Sequence, residues 1–356
     1  MSLKVNKQQF QSNSLGAQTG ALIYTVLRQL LWRFSMLVSV SLLVFLILRL
    51  IPVDPISMLL PPSADKQDVA RLSTELGLNE PVLIQFLTWL QNAVQLDFGQ
   101  SLQSGLPVID TLSEALPITI QLLVFGIICG VFLGLLSGLT TFYLRSTFLE
   151  RPLLTLNAIM LAVPDYLWGI ILIITLGVTL QWLPFLGPVD ANIHIETITG
   201  FLIIDSLLTQ NWQGFTSVIK HLILPSLSLG ICVAPPIARV LYSSLSQVYK
   251  EDYILGARLR GLTEKQILLH HALRNAALPT ISLIGVQISV IIGGTLVIET
   301  IFGLPGIGNL MLKAMGSFDL LVIQALTVVY ALAIQLVTAC TDLILLSLNP
   351  RLRYQK

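Results

Sequence analysis

The chain contains 356 residues, of which 54% are hydrophobic and 11% are charged, and its formal net charge is +1. Its mean hydropathy is +0.82. Soluble domains contain about 25% charged residues, so the composition excludes a soluble globular protein and indicates an integral membrane protein. The near-neutral charge gives no indication of a nucleic-acid partner, and none is expected. The three cysteines, Cys129, Cys232 and Cys340, all fall in apolar stretches and predict neither a disulfide framework nor a metal site.

Six apolar stretches are long enough to cross the roughly 30 Å hydrocarbon core of a bilayer, which needs about 20 residues. They are residues 31–51, 117–142, 153–180, 221–245, 278–302 and 320–347. The first stretch begins about 30 residues into the chain and lacks a small-residue cleavage pattern, so we expect a span rather than a cleaved signal peptide. The sequence therefore predicts an all-α integral membrane protein with six transmembrane helices.

The distribution of Lys and Arg predicts the orientation, because cytoplasmic loops carry an excess of these residues. If the N-terminus is cytoplasmic, 15 of the 20 Lys and Arg residues fall in cytoplasmic segments. The outside segments hold Lys66, Arg71, Lys220 and Lys313, and Arg49 lies at the outer end of the first span. We therefore predict that both the N- and C-termini are cytoplasmic.

The segments between the spans suggest four regions. Residues 1–30 are expected to be a cytoplasmic tail with an interfacial helix, which would begin near residue 22 and run into the first span. Residues 31–116 hold the first span and an outer helical segment. Residues 117–347 form the core of spans two to six with a cytoplasmic loop at 249–277, and residues 348–356 are a cytoplasmic tail.

The segments outside the membrane predict further short helices. In residues 52–116, helical spacing of apolar residues indicates amphipathic helices at 66–76 and 82–96, which form a small cap on the outer face. An unstructured acidic loop is the alternative. Residues 198–208 are apolar enough for a re-entrant or surface helix, and residues 303–319 are expected to be a short Gly-rich loop.

The longest polar stretch among the later spans runs from Glu251 to Pro279. Its apolar residues recur at helical spacing until Gly261, and Thr263 with Gln266 matches a capping box for a second helix. We expect a helix, a sharp Gly turn, a second helix, and a fifth span that opens at Pro279. A short helix of this kind suits a groove on a partner protein; an ordinary amphipathic cytoplasmic loop is an equal alternative on the residues alone.

One carboxylate lies deep in a predicted span. Asp165 follows Pro164 about 12 residues into the third stretch, roughly 18 Å deep at 1.5 Å per residue. A charged group at this depth is costly, so it should face a cavity or a partner rather than lipid. Asp165 is therefore either a residue of a translocation path or a hydrogen-bonding group at a Pro-broken helix.

Several motifs at different places along the chain indicate one family. The polar stretch holds Asp252-Tyr253, Ala257-Arg258, Gly261-Leu262 and Leu273-Arg274-Asn275-Ala276. Others are IPVDP (51–55), a helix ending in DFGQS (97–101), LPIT (116–119) and HLILPSLSLG (221–230) at the second and fourth spans, ETIFGLPGIGNL (299–310) and NPRLR (349–353). From about residue 22 to 353 these segments resemble the dipeptide/oligopeptide/nickel permeases of binding-protein-dependent ABC importers, in the first of their two subunit types. The polar stretch resembles their EAA loop, although Gly256 and Leu259 depart from the usual pattern.

The resemblance implies a type I ABC importer permease fold with a small helical periplasmic cap, in the bacterial inner (cytoplasmic) membrane. It implies half of a pathway for di- or oligopeptides and four partners: a second permease in a heterodimer, two ATPase subunits and a periplasmic or lipid-anchored substrate-binding protein, besides membrane lipids. Asp252, Ala257, Arg258, Gly261 and Leu262 would form the ATPase contact, with Gly261 making the turn and Ala257 permitting close approach. Arg258 would donate hydrogen bonds there or anchor a lipid headgroup.

No enzymatic activity is expected in this chain. The phosphate-binding pattern G-x-x-x-x-G-K-[ST] is absent, so ATP and Mg²⁺ are expected in the partner ATPases and no cofactor is expected here. The alternatives are a secondary transporter driven by an ion gradient, which would favour inverted repeats, and a membrane enzyme, which would need a paired nucleophile or a metal cluster. Nickel chelates, haem and antimicrobial peptides remain open as substrates within the same ABC family.

Overall fold

The structure, a computed structural model, describes residues 28, 31–50 and 79–348, without the side chain at position 346. Described residues form helices and their connections, with no β-strand among them. The helices are α1 (Leu31–Leu50), α2 (Val82–Val94), α3 (Val108–Tyr143), α4 (Glu150–Ala162), α5 (Asp165–Leu172), α6 (Leu202–Leu208), α7 (Trp212–Val248), α8 (Asp252–Leu259), α9 (Glu264–Ile301), α10 (Ile307–Gly316) and α11 (Leu320–Leu348). The described part of the chain also includes two π-helical segments, Ile173–Thr179 after α5 and Ile267–Ala272 within α9.

Five of these helices, α1, α3, α7, α9 and α11, are long and apolar enough to cross a membrane. The sixth predicted stretch, 153–180, is a pair of helices: α4 meets α5 with its π-helical continuation at an angle of 102°. The bend lies at Val163 and Pro164, where Val163 is extended, the conformation that a following proline favours. The all-α prediction is confirmed, with five or six spans depending on whether the bent pair counts as one.

Three prolines lie inside helices that the sequence predicts to begin near them. Pro117 lies inside α3, Pro225 inside α7 and Pro279 inside α9. The prediction that Pro279 opens the fifth span is therefore wrong, because one helix runs from the polar stretch into the membrane. Membrane helices tolerate such prolines because neighbouring groups bond the carbonyls that the proline leaves free.

The centre of the bundle is the contact between α3 and α7, where glycines allow the two backbones to approach closely. Gly126, Gly130, Gly134 and Gly138 recur every four residues and so share one face of α3. A Cβ at Gly130 would lie 2.3 Å from Cγ2 of Val233, and one at Gly138 would lie 2.9 Å from the carbonyl oxygen of Ala238. Small residues at fixed spacing are the usual basis of close packing between membrane helices.

Different helices and connections lie at the two ends of the bundle. At one end, the α8 face, the ends of α3 and α7 meet α8, since Phe142, Leu245 and Ile254 share an apolar cluster. At the other end, the α2 face, Ser101 Oγ donates to Asp319 Oδ2 over 2.6 Å and so places the start of α11 beside the start of α3. The far end of α11 therefore lies at the α8 face.

The first and last spans are joined near the α8 face. Arg33 Nη2 lies 2.9 Å from Asp342 Oδ2, and Arg33 Nη1 donates to the carbonyl of Gln335 over 2.8 Å. Gln335 Nε2 returns a bond to the carbonyl of Arg33 over 2.9 Å. The chain accordingly enters α1 and leaves α11 on one side of the bundle, as an even number of crossings requires.

The outer segments confirm one predicted helix and correct another prediction. α2 matches the helix predicted at 82–96, and its Phe86 packs on Phe45 of α1 with ring centroids 5.5 Å apart. The helix predicted at 66–76 lies outside the described residues, as does most of the interfacial helix predicted at 22–34. Residues 303–319 were expected to be a loop, but they contain α10, whose Ile307 and Ala314 are buried.

Candidate functional site

The first helix of the polar stretch, α8, lies across the α8 face with one side fixed to the bundle. Ile254 and Ala257 are each 1% exposed and pack into the cluster formed by Phe142, Leu241 and Leu245. Asp252 lies exposed in the first turn, where its charge suits the positive end of the helix dipole. The helix therefore has a fixed position against α3 and α7.

The opposite side of α8 is apolar and exposed. Leu255 is 57% exposed and Leu259 is 82% exposed, and the two lie one helical turn apart. Tyr253 lies between the two sides, and its hydroxyl accepts a hydrogen bond from Asn275 Nδ2 at 2.6 Å. Exposed apolar side chains clustered on one short helix are typical of a surface that another protein covers.

The turn after α8 follows the sequence prediction. Gly261 has φ +81°, the left-handed region that favours glycine, and no atom lies within 4 Å of the position of a Cβ there. Its N–H donates to the carbonyl of Arg258 over 2.9 Å, and Leu262 N–H donates to that of Ala257 over 3.3 Å. Thr263 and Gln266 form the expected capping box at the start of α9. The chain thus reverses sharply and enters the next helix.

Arg258 bonds within its own chain. Its Nε donates to Glu264 Oε1 over 2.8 Å, which ties the end of α8 to the start of α9. That bond raises the pKa of Arg258, so the guanidinium stays charged at any physiological pH. The same guanidinium lies 5.7 Å from the centre of the Tyr249 ring.

The five residues that the resemblance assigns to the ATPase contact therefore have different surroundings in the structure. Asp252 and Gly261 lie exposed on the α8 face, and Leu262 is half-buried beside the apolar cluster. The small side chain of Ala257 serves close packing against its own chain. Leu255 and Leu259 occupy the outward side. The sequence could have indicated this grouping, because Leu255 and Leu259 are four residues apart and share one helix face, whereas Ile254 and Ala257 are three residues apart and share another.

Asp165 begins α5 at the bend and is half-buried. Its Oδ1 accepts a bond from the N–H of Tyr166 at 2.8 Å, and its Oδ2 is so close to Gly294 of α9 that a Cβ there would lie 2.6 Å away. In the described ranges no cation forms an ion pair with Asp165. Its carboxylate thus lies at the junction of a broken helix and a glycine of the neighbouring span.

Three carboxylates are buried among the described residues: Asp205 in α6, and Glu299 and Asp319 at the α2 face. Glu299, at the end of α9, is 0% exposed. It accepts bonds from Thr119 Oγ1 at 2.6 Å, from Gly308 N at 2.8 Å and from Asn309 N at 3.1 Å. Glu299 therefore caps the start of α10 from a different helix and fixes α10 on α3 and α9. Asp319 fixes the DFGQS turn in a similar way, since its carboxylate accepts a hydrogen bond from the Ser101 hydroxyl.

A solved structure shares this architecture. A chain of the MetNI methionine ABC transporter, determined in inward facing conformations, superposes with a TM-score of 0.52. The match covers 67% of this chain and 96% of that chain, at 15% sequence identity. At this identity the likeness concerns the fold, which is the type I ABC permease fold expected from the sequence.

Curated relatives match over nearly the whole chain. A probable peptide ABC transporter permease protein of Sinorhizobium fredii, y4tP, is 34% identical over 92% of this chain and 99% of its own length. The di/tripeptide permease DppB of Pseudomonas aeruginosa is 33% identical over 89% and 95%. The glutathione permease GsiC of Escherichia coli is 32% identical over 93% and 99%.

The family match is equally extensive. Residues 22–123 match the N-terminal region of binding-protein-dependent transport system membrane components. Residues 126–354 match the family described as binding-protein-dependent transport system inner membrane component. This chain therefore belongs to that family, and it is a multi-pass permease subunit of an ABC importer rather than an enzyme.

Proposed function

We propose that this chain forms half of a translocation pathway for di- or oligopeptides in the bacterial inner membrane, with both termini in the cytoplasm. The support for a peptide substrate is the naming of its relatives, which are peptide, di/tripeptide and glutathione permeases. Its partners are a second permease subunit, a substrate-binding protein on the outside and two ATPase subunits, which bind the ATP and Mg²⁺.

The observation that carries the coupling role is the two-sided character of α8. One side, Ile254 and Ala257, is buried in the bundle, and the other side exposes Leu255 and Leu259. A docked ATPase that covers the exposed side moves the bundle with it, because the buried side is fixed to α3 and α7. ATP drives the change of access only if the ATPases bind the two states of the permease with different affinity.

A cross-linking experiment tests this docking surface. In the assembled transporter, with Cys129, Cys232 and Cys340 replaced by alanine, Leu259→Cys should cross-link to an ATPase subunit through a short bifunctional thiol reagent. Ala257→Cys is the matched control, since it lies on the same helix but is buried, and it should not react. Cross-linking of Leu259→Cys to another protein only, or to none while the ATPases co-purify, would contradict the proposed surface.

We further propose that Asp165 contacts the ammonium group of the passing peptide. Its support is a half-buried carboxylate at the α4–α5 bend, without a cationic partner in the described residues. A charge-assisted hydrogen bond contributes about 1.5–3 kcal/mol. Asp165→Asn should therefore reduce uptake of dialanine at least tenfold while leaving uptake of N-acetyl-dialanine at its wild-type level. An equal loss for both probes would assign Asp165 a structural role.

A further inference from the structure

A cluster of two arginines and two aromatic rings lies directly behind α8. We call Phe142, Arg145, Tyr249 and Arg258 the ring cluster. Arg145, just past the end of α3, places its guanidinium carbon 3.9 Å from the centre of the Phe142 ring and 4.5 Å from that of Tyr249. The two rings meet edge to face with centroids 4.8 Å apart. Arg258 approaches the same Tyr249 ring from α8.

Arg145 is held mainly by the two rings, and the Glu150 carboxylate attracts it only over a longer distance. Arg145 Nη1 donates to the carbonyl of Phe142 over 3.1 Å, and within the described residues no carboxylate forms an ion pair with it. A guanidinium over an aromatic face is attracted by the ring quadrupole, and the attraction grows when the group is shielded from water. Phe142 is fully buried, and burial raises the pKa of Tyr249, so the Tyr249 ring stays neutral between the two cations.

The cluster connects α8 to helices that precede it in the chain. Tyr249 follows the last residue of α7, and Arg145 follows α3. α3 and α7 in turn pack backbone to backbone along the glycine face of α3, so we expect the pair to move as one body. Arg258 has a second contact in the other direction, its hydrogen bond to Glu264 at the start of α9. α8 is thus joined both forward to α9 and backward to α3 and α7.

On this geometry, and resting on the proposed docking of ATPases to α8, we propose that Tyr249 and Arg145 are positioning residues that transmit the displacement of α8 to the α3–α7 pair. The route runs in parallel with the forward route through Gly261 into α9. Loss of the Tyr249 and Arg145 contacts should therefore leave docking and the movement of α9 intact and reduce the movement of α3, which keeps only its apolar contacts with Ile254 and Ala257.

Distance measurements between spin labels separate the two routes without knowledge of the substrate. The assembled transporter, free of its natural cysteines, carries one label at Ile344→Cys near the end of α11. A second label is placed either at Tyr143→Cys, at the end of α3, or at Leu269→Cys, in α9; all three positions are exposed. Each distance is measured without nucleotide and with ATP and vanadate.

We expect both distances to shift with nucleotide in the otherwise unchanged protein. In Tyr249→Leu the shift at Tyr143→Cys should fall by at least half while that at Leu269→Cys stays. Tyr249→Phe, which keeps the ring, should restore both. Arg145→Ala should act like Tyr249→Leu; it removes no residue of the apolar cluster and replaces that variant if Tyr249→Leu fails to insert. Arg151→Ala, a nearby exposed arginine outside the cluster, should change nothing.

The outcomes distinguish the proposal from the function on which it rests. A full shift at Tyr143→Cys in both Tyr249→Leu and Arg145→Ala would overturn the role of the ring cluster and leave the docking of ATPases intact. Equal losses at both label positions would also overturn it, because the cluster would then act on α8 as a whole. Failure of the ATPases to assemble with the unaltered chain would instead contradict the proposed function.

Discussion

At the residue scale, Gly261 is the position where a single substitution isolates a backbone requirement. Its φ of +81° disfavours any L side chain, and the space around it is open, so a substitution there has no effect on packing. A left-handed conformation costs an alanine about 1–2 kcal/mol, which corresponds to a factor of about 5–30 in the population of the correct turn. We expect Gly261→Ala to weaken ATPase binding by that factor, measured by titration of the ATPases onto the purified permease.

The matched control lies five positions earlier. Gly256 is inside α8, and no atom lies within 4 Å of its Cβ position either, but its φ lies outside the left-handed region. Alanine there should stabilise α8 by about 0.5–1 kcal/mol. Gly256→Ala should therefore bind the ATPases at least as tightly as the unaltered chain. Equal weakening by the two substitutions would show that the turn conformation is not what matters.

Asp205 gives a pH dependence whose sign can be worked out. Burial alone would raise the pKa of Asp205, but hydrogen bonds from Thr199 Oγ1 at 2.6 Å, Thr199 N at 2.8 Å and Gly200 N at 3.0 Å together hold the pKa below its usual value. The folded-state pKa thus lies below the unfolded value of about 3.9. The carboxylate stabilises the loop above that pH, and the stabilisation is lost as the pH falls from about 4 through the folded-state pKa.

Hydrogen-exchange protection of the Thr199 and Gly200 amides measures this effect. Protection should fall as the pH drops below about 4, and Asp205→Asn should lower it at neutral pH and abolish its pH dependence in that range. Glu196→Gln, in the same connection but exposed, is the control and should leave the profile unchanged. A profile that stays flat below pH 4 in the unaltered chain would refute the assignment.

Residues such as Gly261 were predictable because their requirements are local: a helix pattern, a glycine and a capping box follow each other in the sequence. The ring cluster was not, because Arg145 and Tyr249 follow different helices and meet only when α3 and α7 pack. For α8, the helix could be predicted from the sequence but its exposed side could not. The spacing of its apolar residues predicts a helix, but only the packed structure shows that Ile254 points inward and Leu259 outward.

At the element scale, the glycine face of α3 determines how closely α7 can approach. A methyl group at Gly134 would lie 2.7 Å from Cβ of Ile237 and 2.9 Å from the carbonyl oxygen of Ala234, so the backbone itself would have to move. Overpacking of this kind costs about 1–3 kcal/mol. We expect Gly134→Ala to lower the thermal unfolding midpoint in detergent. Gly293→Ala, in α9 with no atom within 4 Å, should leave it unchanged or raised.

The helices themselves were largely predictable, while their ends were not. Hydropathy marks the apolar stretches, and each of the six has a helical counterpart in the structure. Proline misled the prediction at α9, because hydropathy falls where the polar stretch begins although the helix continues through it. The 102° bend between α4 and α5 has a local cause in Pro164, but its angle depends on how both helices pack against α7.

At the scale of the whole molecule, the packing and the charge pattern together predict the topology. The ion pair of Arg33 with Asp342 places the start of α1 and the end of α11 at the α8 face, and the excess of Lys and Arg predicts that this face is cytoplasmic. Alkaline phosphatase fused after residue 80 should be active, and a green fluorescent protein fused after residue 250 should be fluorescent. An inactive phosphatase at residue 80 in a stably inserted fusion would reverse this orientation.

The pairing of Arg33 with Asp342 also constrains the order of assembly during translation. The two residues are 309 positions apart, so the acid is made long after the arginine has entered the bilayer. At about 5–20 residues per second, that delay is roughly 15–60 s. Throughout that interval the first helix has a guanidinium without its carboxylate. A chain that stops before the last helix therefore leaves the Arg33 guanidinium without its carboxylate.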